Sequence, residues 1–338
     1  MPIKSTPNRR KSRRDLLRRT AGMMLAPAAL SLSEPLARAA DDAAALIIDT
    51  HQHMWDLSKF KLPWLENAPP IYRQSYRTEE YLEATKGLNV KAVYMEVDVD
   101  AKQRTAEAQY VIDLCRTGKN PTIAAVIGGR PDAPGFDEYI KPLKESGMIR
   151  GVRQVLHSVD LPAGTCLKDD FVRGVRFLGK QDLSFDLCMR TPELADGAKL
   201  CELCPDTRFV LDHCGNADPK AFMANPPADA RPEHQASAWK RDMEALAKRP
   251  NLICKISGVV ARAPREWSAE HLAPVVNFCL DTFGPDRVVF GGDWPVCLAR
   301  ATFGQWVAAL KQIISTRSAA EQRKLWAGNA KRFYGLEV

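Results

Sequence analysis

The sequence lacks several features that would place it at once. No apolar run is long enough to span a membrane. No basic patch interleaved with aromatics occurs in the body of the chain, which removes the usual footprint of a nucleic-acid binder. There is no internal repeat and no low-complexity linker, so solenoids and strings of small modules are excluded. The first strand-like run is not followed by the glycine-rich phosphate loop that a dinucleotide-binding open sheet requires. The nine cysteines are an odd number, and several sit inside apolar strand or helix patterns, as inert buried cysteine does. Cys201-x-x-Cys204 has redox-type spacing, but it falls late in a helical stretch before Pro205, away from a helix start that would stabilise a thiolate.

What is present is ordinary globular material: 338 residues, 45% hydrophobic and 26% charged, enough for one large α/β domain or two smaller ones. The net charge of +7 is unevenly placed. Nine basic residues precede residue 41, opposed only by Asp15 and Glu34, so the remainder is close to neutral. Ser12-Arg13-Arg14-Asp15-Leu16-Leu17-Arg18 resembles a twin-arginine export motif. A mildly apolar stretch, Thr20 to Leu32, follows it, and then the small-x-small cleavage pattern Ala37-Arg38-Ala39. Residues 1–39 are therefore expected to be a signal peptide recognised by the twin-arginine machinery, and residues 40–338 a periplasmic or secreted domain without stable membrane insertion.

Beyond the leader, eight strand-like runs alternate with helical patterns: 46–50, 91–97, 122–127, 149–156, 183–189, 208–213, 252–257 and 288–293. Asp170 and Thr191 read as helix caps, and Gly87, Gly118 and Gly147 as helix stops. The strands are nearly all apolar, as strands buried on both faces are. Eight strand–helix units in roughly 300 residues predict a single (β/α)8 barrel, with its site at the C-terminal strand ends. A long irregular stretch, residues 215–233, has the length of an active-site lid.

Polar residues that end apolar strands are therefore the candidates. His51 and His53 end the first strand, on the same side because side chains alternate. Arg153 and His157 come from the fourth, Asp186 and Arg190 from the fifth, and Asp212 and His213 from the sixth; Lys255 and Ser257 come from the seventh, and Asp293 with Trp294 ends the eighth. Glu96, Asp98 and Arg130 end the second and third. Buried charges need partners, so these groups should converge on each other or on a ligand. A carboxylate such as Asp293 can take a proton from water, while imidazoles bind a metal or polarise a carbonyl. Arg153 and Arg190 could hold an anionic or hydroxyl-rich substrate, and Trp55, Trp64 and Trp294 offer flat apolar faces.

Several motifs, in order, resemble the amidohydrolase-related barrel hydrolases, in their lactonase branch. They are Asp49-Thr50-His51-Gln52-His53-Met54-Trp55-Asp56, Gly151-Val152-Arg153-Gln154, Leu211-Asp212-His213-Cys214-Gly215, Cys254-Lys255-Ile256-Ser257-Gly258, Phe290-Gly291-Gly292-Asp293-Trp294-Pro295 and the ending Gly328-Asn329-Ala330-Lys331-Arg332-Phe333-Tyr334-Gly335-Leu336. The resemblance implies a distorted (β/α)8 barrel that opens a lactone ring, with Asp293 as general base and His51, His53 and His213 around the water and carbonyl. Arg153, Arg190, Trp55, Trp294 and Lys255 are the expected substrate-binding set. One divalent ion, zinc before others, would use His51, His53 and Asp293. The fifth strand has no histidine and the fourth has Arg153 in place of a lysine, departures that leave a metal-free mechanism equally open. Another hydrolysis, a decarboxylation, or non-catalytic binding of a sugar acid are the competing readings.

Overall fold

The computed structural model describes residues 45–158, 160–224 and 231–338. The expected signal segment, residues 1–39, lies outside the described residues. The eight apolar runs become eight parallel strands: β1 Ile47–Gln52, β2 Val90–Met95, β3 Thr122–Gly128, β4 Ile149–Val155, β5 Ser184–Cys188, β6 Phe209–Leu211, β7 Leu252–Ile256 and β8 Val288–Phe290. Their order in the sheet is their order in the chain. β8 returns to β1 through backbone bonds from Asp293 N to His51 O (2.9 Å) and from His53 N to Trp294 O (2.8 Å). A helix follows each strand: α1 Thr78–Ala84, α2 Arg104–Arg116, α3 Phe136–Lys144, α4 Asp169–Lys180, α5 Leu194–Leu203, α6 Ala236–Ala247, α7 Ala269–Phe283 and α8 Phe303–Ile313. This is the expected (β/α)8 barrel. None of the described helices is long and apolar enough to cross a membrane.

Alternation along the strands divides the core in two. One set, including Ile47, Tyr94, Ile127, Phe185, Leu211 and Phe290, packs between sheet and helices. The other set, including Ile48, Val93, Val126, Val210, Ile253 and Val289, forms a separate cluster with Tyr334 and Leu336. The C-terminal segment thus plugs the barrel. That segment is α9 Ala319–Arg323, a π-helical turn Lys324–Gly328 and α10 Asn329–Tyr334, where the sequence reads as one helix.

Gly87, Gly118 and Gly147 stop helices as expected, with φ of 81°, 62° and 72°. Asp170 does not cap, because α4 begins one residue earlier; Asp169 and Asp170 instead place charge in its first turn, where the helix dipole favours it. Thr191 opens a 3-10 turn ahead of α5, with Arg190 at the capping position. Two strands, β6 and β8, are only half as long as expected. β6 stops at Leu211 because His213, Cys214, Gly215 and Asn216 all have positive φ, between 51° and 64°, and form one left-handed turn. β8 stops at Phe290, where the chain passes close under its neighbours. A Cβ on Gly292 would lie 2.3 Å from Phe303 and 2.8 Å from Asp49 Oδ2, so only glycine fits. The long 215–233 stretch is tied at its flanks, with Asp218 accepting from Lys220 N (3.0 Å) and Glu233 N (2.9 Å).

Candidate active site

The end of β1 is fixed by Asp49. Its Oδ1 accepts from His51 N (2.9 Å) and Gly292 N (2.6 Å), and its Oδ2 from Tyr81 Oη (2.8 Å). One fully buried carboxylate thus binds the backbones that carry His51 and Asp293. The two histidines meet at their Nε2 atoms, 3.1 Å apart. His53 Nδ1 lies 3.0 Å from Met95 O, which can only accept, so His53 carries its proton on Nδ1 and offers a bare Nε2. Asp293 Oδ1 lies 3.8 Å from His51 Nε2 and 3.7 Å from His53 Nε2. It is buried and has no hydrogen-bond partner. His213 completes the group, its Nδ1 3.9 Å from Asp293 Oδ2 and 3.0 Å from Ser257 Oγ. The left-handed turn after Asp212 is what presents it. A turn of this hand costs about 1–2 kcal/mol per non-glycine residue, and such strain concentrates at functional sites.

Below the histidines lies a sealed layer of charge. Lys255 Nζ contacts Asp186 Oδ2 (2.8 Å), Asp212 Oδ1 (2.9 Å) and His51 Nδ1 (3.2 Å), all of them fully buried or nearly so. Arg153 donates from Nε to Glu96 Oε1 (2.7 Å) and from Nη2 to Glu96 O (2.7 Å), while its Nη1 faces Asp212 Oδ2 (3.5 Å) and His51 Nε2 (3.3 Å). Neither Asp212 oxygen receives a well-aligned hydrogen bond.

Burial sets the protonation states. It pushes Asp293 well above the usual carboxylate range, against Arg153 and with Asp212 and Asp49. Burial, helped by Lys255 for His51 and by Arg153 for His53, holds both imidazoles well below their ordinary range. Burial likewise lowers His213 to about 3, against the pull of Asp212. All three imidazoles are therefore neutral. Burial alone would raise Asp212, but the charge of Lys255 and the adjacent His51 hold it low; burial lifts Asp186 to about 7 despite Lys255.

Above this layer opens a cleft of about 410 Å³. His53, His213, Asp293, Arg153 and Trp55 of the expected residues line it, as does Trp64. Val97, Val155 and Val296 form its apolar wall, with Asp98, His157 and Ser158 as further polar groups. His51 and Lys255 sit beneath the floor, wholly buried. Trp294 turns away and packs edge-on against Tyr76 and Tyr81, ring centroids 5.3 Å from each. Arg190 also faces elsewhere, its guanidinium spent on Glu193 (2.6 Å), Ser158 O (2.8 Å) and Leu161 O (2.8 Å). Glu96, Asp186, Asp212 and Ser257, strand-end candidates to which the sequence reading gave no role, hold the site from beneath, and Asp49 does so without having been singled out; the signal available for it was a polar residue inside an apolar strand.

The donors fit a divalent ion. His51, His53 and Asp293 each offer one ligand atom, all within 4.8 Å of one another, and the orphaned Asp293 Oδ1 gains a partner if one is held. Two imidazoles and a carboxylate suit zinc.

The sequence profile of the amidohydrolase family matches residues 48–336. The chain belongs to that family. Within it, an L-fucono-1,5-lactonase of Burkholderia multivorans is 29% identical over 300 residues, covering 86% of this chain and 97% of the relative. An L-rhamnono-gamma-lactonase of Scheffersomyces stipitis is 24% identical, covering 86% and 98%. A crystal structure of an amidohydrolase from Burkholderia multivorans with bound zinc superposes with a TM-score of 0.74 at 27% identity, covering 87% of this chain and all of that one. A second crystal form of that amidohydrolase, with bound HEPES, gives 0.75 at 26%.

Proposed function

We propose that this protein is a lactonase that opens the ring of a neutral sugar-acid lactone by general-base activation of water. The observation that carries this reading is Asp293: a buried carboxylate at the cleft floor, one oxygen unpartnered, among three neutral imidazoles. Its raised pKa makes it a strong base once ionised. Water held at Oδ1 loses its proton to Asp293 as its oxygen attacks the carbonyl carbon. The tetrahedral oxyanion is met by neutral donors, of which His213 faces the cleft with Nδ1 held by Ser257, leaving Nε2 for the substrate. The ring C–O bond then breaks and the alkoxide recovers the proton from Asp293, giving the hydroxy acid. A divalent ion held by His51, His53 and Asp293 would supply Lewis-acid polarisation of water and carbonyl. The relatives named as sugar lactonases support this reaction class.

Substrate charge follows from Arg153. Among the described residues lining the cleft it is the one permanent cation; its Nε and Nη2 already serve Glu96, and its Nη1 faces Asp212 and His51 beneath the floor. Asp98 on the same wall disfavours a second negative charge. A lactone bearing carboxylates therefore finds no free partner, whereas a neutral ring can lie against Trp55 and Trp64 and reach Asp98, His157 and Ser158 with its hydroxyls. The twin-arginine pattern at residues 12–18 supports export of the folded enzyme and action in the periplasm or outside the cell. The test is proton release measured with a pH indicator when purified protein meets a panel of aldonolactones. Hydrolysis of neutral members is expected; folded, zinc-supplied protein that opens none of them, or that only binds them, overturns the reading.

A further inference from the structure

His51 Nδ1 has two neighbours that make opposite demands. Lys255 Nζ, 3.2 Å away, can only donate, so facing it Nδ1 must be bare. Asp212 Oδ1, 3.4 Å away, can only accept, so facing it Nδ1 must carry the proton. A neutral ring has one proton to place, and the choice is felt at Nε2. There His51 meets the bare Nε2 of His53 at 3.1 Å. If Lys255 holds Nδ1, His51 carries Nε2–H and donates it to His53. The two nitrogens that would grip an ion are then joined to each other. If Asp212 holds Nδ1, both Nε2 atoms are bare and converge with the orphaned Asp293 Oδ1, an arrangement of three acceptors that calls for a cation.

We propose that Lys255, anchored by Asp186, is a positioning residue that keeps His51 in the Nε2–H form while no ion is bound, and that Asp212 takes over Nδ1 when an ion enters. Two observations and one general rule support the two-state arrangement. Lys255 is the nearer neighbour of Nδ1 and is fixed by Asp186 at 2.8 Å. Asp212 Oδ1, ion-paired with Lys255 at 2.9 Å, receives no aligned hydrogen bond and so has room to accept from Nδ1–H. Carboxylates on the far nitrogen of a ligating histidine fix its tautomer and strengthen the ligand. Arg153 Nη1 lies 3.3 Å from His51 Nε2 and 3.5 Å from Asp212 Oδ2, so it can donate to a bare Nε2 and, where Nε2 carries the proton, to Asp212 instead. Metal binding here therefore carries the cost of moving one proton across the ring, and Lys255 sets that cost.

Long-range proton–nitrogen NMR on protein labelled with nitrogen-15 histidine reads the tautomer directly, with His51→Gln assigning the signals. In zinc-free wild type, His51 is expected as Nε2–H; zinc titration should convert it to Nδ1–H. The double variant Lys255→Met/Asp186→Asn removes the ammonium from Nδ1 together with the carboxylate that anchors it. It should show Nδ1–H without zinc and bind zinc about tenfold more tightly, the scale on which such outer partners act. Asp212→Asn should weaken zinc by a factor of about 10–100. An Nδ1–H form in zinc-free wild type overturns the proposal. So does a zinc affinity that the double variant leaves unchanged, including a site that stays empty in both proteins.

Discussion

The amide of Asp293 donates to the carbonyl of His51 at 2.9 Å, so the candidate base and a candidate ligand are registered by backbone rather than by side chains. Asp49 reinforces that register by accepting from the amides of both His51 and Gly292. The bond that closes the barrel and the bonds that build the site are thus the same few contacts.

Asp49→Ala should therefore damage stability and catalysis together. It strands two buried amides and the Tyr81 hydroxyl, each costing about 1–3 kcal/mol, so a loss of about 3 kcal/mol or more is expected in urea unfolding. In the surviving folded fraction, kcat should fall more than KM rises, because Asp293 is displaced while the cleft wall is not.

Asp293→Asn separates function from stability in the opposite sense. Removing a general base costs about two to four orders of magnitude in turnover. The folded pKa of Asp293 is raised, so the folded state holds its proton more tightly than the unfolded chain does. Its contribution to stability is full below the unfolded pKa and is lost as pH rises through the folded one. At neutral pH the Asn variant should melt higher than wild type, and the gap should close toward pH 4. The wild-type kcat/KM should also fall on acidification with a midpoint well above that of an ordinary aspartate. A wild-type rate in folded Asn protein removes Asp293 from the mechanism.

Much of this architecture was legible in the chain. His51, His53 and Asp293 stand out because apolar strands end abruptly in them, and the barrel follows from eight strand–helix units. Arg190 and Trp294 show where such reading stops. Both lie beyond the regular end of their strand, where alternation no longer decides which way a side chain points, although Trp294 still makes an isolated bridge to Gln52. Asp293 itself has a φ of 53°, which redirects the chain and sends Trp294 into the aromatic wall. The layer of Lys255, Asp186 and Asp212 was visible only as single charges in apolar strands; which of them meet depends on strand register. The left-handed turn was hidden because three of its four residues are not glycine.

Export is tested outside the folded domain. Replacing Arg13 and Arg14 together by lysine should leave precursor in the cytoplasm, read by fractionation and immunoblot. Normal accumulation of the mature form outside the cytoplasm would remove the twin-arginine reading.

Trp64 stands on the cleft wall with its indole Nε1 donating to Val97 O at 2.8 Å, and its ring meets Trp55 edge-on at 5.5 Å. It touches no group assigned to the chemistry. Trp64→Ala should raise KM for a neutral lactone by about tenfold, roughly the loss of one aromatic face, with kcat largely kept. A carboxylate-bearing lactone should stay a poor substrate of both proteins, and efficient turnover of one would show that Arg153 has a donor to spare.

His213 offers the sharpest separation of backbone from side-chain effects. Its φ of 53° lies in the left-handed region, which asparagine tolerates and β-branched residues do not. His213→Asn should keep the turn, whereas His213→Val should strain it by about 1–3 kcal/mol. Both lose the imidazole that faces the cleft, so both should lose about two to three orders of magnitude in kcat if His213 meets the oxyanion. Their acid stability should differ from wild type in a defined window. His213 titrates near 3 in the fold, well below an ordinary histidine, so its neutral burial contributes stability that is full above about pH 6.5 and is lost as pH falls toward 3. The Asn variant should therefore show a flatter fall in stability across that window. A slope equal to wild type would mean that folding does not depress the His213 pKa, and that burial does not hold the imidazole facing the lactone carbonyl neutral.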